Sequence, residues 1–242
     1  MPEIADLLTQ LDKRLKENNI RKKDIDKYMY IYLFDEEDLE RLLSIEWDNT
    51  IVLSSLIRAI SSTSKNKEKK IALLEEIIDK TDIRYDREKV LAATKVVNSI
   101  DMFREDTDMA SLITGMILNS KTDEGARAAA NVTRDVLEYY EEKLHDKEHK
   151  EGDITIRLAS MVGFMTRAED VYKVNAFYDI TRRYSKDKLG VMCGLVSIAN
   201  MATNKEDANM VVDIASNKDI ISSKYELEAA NEVVKSGRQR VR

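Results

Sequence analysis

Two histidines stand four residues apart in this chain, in the string His145-Asp146-Lys147-Glu148-His149. On a helix, positions i and i+4 share a face. Both imidazoles could therefore grip one metal ion while Glu148 polarises a bound water. The surroundings argue against that chemistry. Glu141, Glu142, Lys143, Lys150 and Glu151 make the stretch a solvated helix end, and the chain holds no further His to complete a ligand set. No metal is expected, and His145 and His149 stay a remote pair.

The string fits H-x-x-E-H and so resembles the inverted zinc-protease signature, which would imply a zinc-dependent hydrolase. Other catalytic patterns are weaker. Cys193, the only cysteine, lies between Met192 and Gly194 in an apolar stretch. A nucleophilic thiolate needs a neighbouring base or positive field, so Cys193 reads as a buried, inert thiol. Gly190 and Gly194 share a helical face and read as close packing. Neither a phosphate-binding loop nor a dinucleotide fingerprint is present, and no cofactor is expected. Asp179, between Tyr178 and Ile180, and Asp213, between Val212 and Ile214, read as outward positions on amphipathic helices.

Basic residues offer binding rather than catalysis. Arg182, Arg183, Lys186 and Lys188 fall at one inter-helix turn around Tyr184. Such a turn could hold phosphate or an acidic peptide. Arg238, Arg240 and Arg242 form a basic tail beyond Gly237, a glycine stop for the preceding helix.

Helices must position all of these. Apolar residues recur at three- and four-residue spacing nearly everywhere, and the spacing predicts helices over 3–17, a segment after Asp35, and 50–62, 68–80, 87–100, 108–119, 124–144, 154–166, 168–184, 187–202, 205–216 and 222–236. One Pro and seven Gly in 242 residues leave too little punctuation for turn-rich β or βαβ folds. Tyr28, Tyr30, Tyr32 and Phe34 alternate with Met29, Ile31 and Leu33, a strand-like period. A lone strand would have no ladder partner, so helix is preferred there.

Several helices carry a pair of small residues, starting at 54, 92, 129, 159, 193 and 229. Ala92-Ala93-Thr94-Lys95-Val96-Val97-Asn98-Ser99 and Ala229-Ala230-Asn231-Glu232-Val233-Val234-Lys235-Ser236 agree at five of eight positions. The successive intervals are 38, 37, 30, 34 and 36, a length that suits two packed helices with their turns. Short side chains let helix axes approach, so each pair is expected at a crossing. Over residues 36–236 this pattern resembles the HEAT and armadillo class of α-solenoids. The resemblance implies an all-α, right-handed superhelix of stacked antiparallel hairpins, with a non-repetitive multi-helix bundle as the alternative. One domain over 1–242 is expected. The interval of 30 and the charged run through Gly152 point to a hinge or sub-domain boundary near 145–153.

Composition bounds the function. Charged residues are 35% of the chain, with a net charge of −6. Bulk electrostatics therefore do not favour nucleic acid, and only a local basic patch would bind it. A single cysteine, acidic residues at the N-terminus and no apolar run of about 20 residues suggest a soluble, cytoplasmic protein that does not span a membrane. The expected function is a non-enzymatic scaffold or adaptor that binds a protein or peptide. A nucleic-acid-associated helical protein is the alternative, and a zinc hydrolase a remote one.

Overall fold

The computed structural model describes residues 64–82, 85–104, 106–143, 151–183 and 189–216, and helical backbone at Asp6, Thr9, Gln10 and Lys13. Among the described residues the protein is all-α, with eight helices and no strand. They are α1 (Lys67–Lys80), α2 (Arg87–Asn98), α3 (Thr107–Leu118), α4 (Asp123–Lys143), α5 (Glu151–Arg167), α6 (Val171–Arg183), α7 (Leu189–Asn200) and α8 (Lys205–Ser216), with a 3-10 turn at Ile100–Phe103. Their bounds follow the apolar periodicity to within a few residues. The expected helices at 50–62 and 222–236, most of that at 3–17, the segment after Asp35 and the Tyr28–Phe34 stretch lie outside the described residues.

Two compact units emerge, Met1–Thr114 and Gly115–Arg242. The break falls inside α3. In the first unit α1 packs on α2 through Leu74, Ile77, Val90 and Val97, all buried. The apolar spacing predicts that α2 continues to residue 100. It ends at Asn98, where the Ser99 N–H turns back to the Val96 and Val97 carbonyls, and the 3-10 turn carries the chain to Arg104, whose φ of 52° is left-handed. That turn places Asp101 beside the start of α1. Its carboxylate accepts from Ser64 Oγ at 2.9 Å, Asn66 Nδ2 at 3.0 Å and the N–H groups of Lys65 and Asn66, each at 3.3 Å. Carboxylate oxygens at a helix N-terminus satisfy donors that lack intrahelical partners and meet the positive end of the dipole. Lys69 pairs with Asp108 nearby. Lys70 is buried; burial lowers its pKa, and the Asp101 charge partly offsets this.

In the second unit, helices touch both their next and their next-but-one neighbours. Helix α4 packs on α5 and α6, α5 on α7, α6 on α7 and α8, and α7 on α8, with a slighter contact between α5 and α6. Phe177, Leu158, Leu195 and Val211 are fully enclosed in this core. Helix α4 starts at a tight turn. The Lys121 N–H donates to the Thr166 carbonyl at 2.8 Å, and Thr122 Oγ1 caps α4 by accepting from the Gly125 N–H at 3.0 Å. A Cβ on Gly125 would stand 2.6 Å from the Met165 carbonyl oxygen, so this crossing needs glycine.

Of the small-residue pairs, Ala92-Ala93 and Ala129-Ala130 are wholly buried, as a crossing requires. The other two described pairs are not. Ala159 is buried, but Ser160 turns outward and bonds the Ile156 carbonyl on its own helix. Cys193 and Gly194 are both half-buried. The first two pairs sit on α2 and α4, the last two on α5 and α7, so the 30-residue interval separates even-numbered from odd-numbered helices. The pairs at 54 and 229 lie outside the described residues.

Candidate functional site

Arg182 is exposed on the last turn of α6. Its guanidinium lies 5.5 Å from the centroid of the Tyr178 ring one turn earlier, a cation–π arrangement. Arg183 ends the same helix. Lys186, Lys188, Arg238, Arg240 and Arg242 lie outside the described residues, as do His145 and His149. Within the described residues no group of three or more His, Cys, Asp or Glu side chains is arranged to hold a metal ion, and no helix is long and apolar enough to cross a membrane.

Cys193 on α7 is half-buried rather than buried. Burial pushes its thiol pKa up, and the Arg157 charge pulls it partly back. Arg157, on α5, reaches α7 at Gly190: a Cβ there would meet Arg157 Nη1 at 2.7 Å. Gly190 thus faces the end of an arginine side chain from α5, and no backbone of that helix is among its nearest atoms.

A second feature extends across three helices. Asn131 and Asp135 on α4, Asn175 and Asp179 on α6, and Asn209 and Asp213 on α8 form the same Asn-x-x-x-Asp pattern. Each Asn follows a buried apolar residue, Ala130, Val174 or Ala208. Asn175, Asn209 and Asp213 are exposed, and Asn131, Asp135 and Asp179 half-exposed. The four-residue step keeps each Asn and Asp on one side of its helix. Helix α6 packs on both α4 and α8, so the middle pair lies on a helix in contact with each of the other two. One turn before each Asn stands an exposed residue: Arg127, Val171 and Lys205.

The steps differ in how far they are engaged. Asp135 accepts from Arg134 Nη2 at 2.8 Å, and Arg134 also approaches Glu138 at 3.5 Å. The hydrogen bond to Asp135 leads the causes that raise the Arg134 pKa. Among the described residues, Asn175, Asp179, Asn209 and Asp213 have no hydrogen-bond or ion-pair partner. The outward placement of Asp179 and Asp213 follows from their apolar flanks. Their alignment with the asparagines is missed by a search for small-residue pairs at constant spacing, because these motifs recur at unequal steps of 44 and 34 residues. Comparing the polar faces of alternate helices would have found it.

What the fold defines is a class: an all-α protein of packed helices. No protein family, curated protein or solved structure matches the chain.

Proposed function

We propose that this chain is a non-enzymatic scaffold that holds a protein or peptide on stacked helical hairpins, of the α-solenoid kind. The observation that carries the reading is the packing of α4 to α8, in which each helix meets its next and its next-but-one neighbour. Hairpins that cannot bury both faces alone complete their core through neighbours, and the stack leaves an extended surface. Exposed polar side chains on α6 and α8, Asn175, Asn209 and Asp213, suit such a surface. The immobilised full chain is expected to retain a polypeptide partner at fixed stoichiometry, displaced by that partner in soluble form. Saturable capture of no polypeptide at all, alongside turnover of a small substrate, would defeat the reading.

The second reading is a nucleic-acid-associated protein. Arg182, exposed and stacked on Tyr178, supports it. It predicts retardation of single- or double-stranded nucleic acid that weakens steeply with salt, and no shift at low salt removes it.

A further inference from the structure

We infer that a second copy of this chain docks on the solvent side of α5 and α7, as a two-fold dimer in which the two α7 helices run antiparallel. The dimer is independent of the scaffold reading, since either can hold without the other.

The surface is unusual for this chain. Charged residues make up 35% of the sequence, yet none occurs from Leu189 to Asn204, a stretch that contains all of α7. A helix enclosed on every side would need no charge, but α7 is not enclosed. Ser197 is exposed, and Val191, Gly194 and Met201 are half-buried along one side of the helix. On α5, Ile156 is 61% exposed, with Ser160 exposed and Phe164 half-buried at the next two four-residue steps. Helices α5 and α7 pack together, and Arg157, the neighbour of Ile156, reaches Gly190. From Ile154 to Arg167 the α5 sequence holds no carboxylate. The acids nearest in the chain lie toward helix ends: Asp153 and Asp187 before, Glu169, Asp170, Glu206 and Asp207 after. By contrast α6 and α8 turn Arg182, Lys205, Glu206 and Asp213 to solvent.

Charge selects the occupant. Each copy carries a net charge of −6, so two copies repel wherever carboxylates meet. A face without them lets the copies approach. A charged patch calls for a partner of opposite sign, whereas an uncharged one complements itself, as a two-fold contact requires. The cation on this face sets the direction. Arg157 lies at the start of α7, so a parallel apposition would bring the two arginines together. Antiparallel helices, with the axis near Gly194, set each Arg157 toward the uncharged end of its partner's α7. Two helices about 18 Å long and roughly 8–10 Å apart offer on the order of 400 Å² per copy. That is at the small end for specific association, so the dimer is a transient one.

The test is sedimentation equilibrium of the full chain from low micromolar to millimolar concentration. Half-dimerisation is expected on the order of 10–100 μM. Ser160→Glu and Ser197→Glu, each at an exposed position, should weaken association at least about tenfold by placing a carboxylate on both sides of the contact, and salt should partly restore it. Arg127→Gln, on α4, shifts the net charge by the same one unit and should leave association unchanged. Unchanged thermal melting confirms that the variants fold. The unaltered chain supplies a second readout, because Cys193 would lie beside the axis. A bismaleimide with a reach of roughly 8–10 Å should join two chains with a yield that rises with protein concentration. A monomer at every concentration overturns the proposal. So does a dimer that persists in both glutamate variants, or one whose Cys193 thiols do not cross-link, since it is then built on another face. A chain that stays monomeric but loses a captured polypeptide on Ser197→Glu uses this face for a different protein. The dimer then falls while the scaffold reading stands.

Discussion

Asp101 joins two stretches of chain 35 to 37 residues apart through four hydrogen bonds. Partial desolvation pushes its pKa up, but the bonds from Ser64 and Asn66 side chains and from the Lys65 and Asn66 backbone outweigh it, and the net shift is down. A carboxyl depressed in the folded state stabilises the fold above its unfolded pKa, near 4. That contribution fades as pH falls from there through the lower folded value. Asp101→Asn should therefore melt below the wild type at pH 7, with the gap closing below about pH 4. A gap that stays constant down to pH 2 would mean the bonds owe nothing to the charge. The sequence puts Asp101 in a polar break between helices. Its partners cannot be read there, because they depend on how α1 and the 3-10 turn approach in space. The outward setting of Asp179 and Asp213 is legible, since it needs only the apolar residues on either side.

At the scale of elements, glycine separates what spacing reveals from what only neighbours decide. Gly115 sits within α3 with no heavy atom within 4 Å of the place a methyl group would take, whereas a methyl on Gly125 would strike the Met165 carbonyl. Gly115→Ala should stabilise the protein by about 0.5–1 kcal/mol through helix propensity. Gly125→Ala should destabilise it by roughly 1–3 kcal/mol, because backbone at a tight crossing must move. Urea unfolding of both variants checks the pair, and a like sign for the two would refute this account. In sequence both are single glycines near apolar residues. The helices themselves are legible because a 3.6-residue period is strong over a dozen residues. The small pairs are a poorer guide: alanine packs anywhere, and the outward turn of Ser160 depends on which side of α5 meets a neighbour.

Across the whole molecule, the all-α class is readable from scarce Gly and Pro and mixed charge, while the break inside α3 is not. Charge interrupts the apolar pattern near 145–153, and a boundary is expected there on that ground. Most of that stretch lies outside the described residues; the compact units divide between Thr114 and Gly115, in an unbroken apolar helix that carries no linker signal. Within the second unit α6 is the hub, touching α4, α5, α7 and α8. Phe177 on α6 is fully buried, with its ring 6.5 Å from that of Phe164 on α5. Phe177→Ala should cost about 3–5 kcal/mol. Amide exchange should then accelerate together in all five helices if they form one cooperative body. Acceleration confined to α6 would show that they open separately.

The chain has a single sulfhydryl, Cys193, partly sheltered where Arg157 crosses Gly190. It therefore comes with one native attachment point for a probe, and no cysteine need be removed first. With its pKa raised, the group is mostly protonated near neutrality and labels slowly while α5 and α7 stay together. Any event that parts those two helices would register as faster alkylation at one known position.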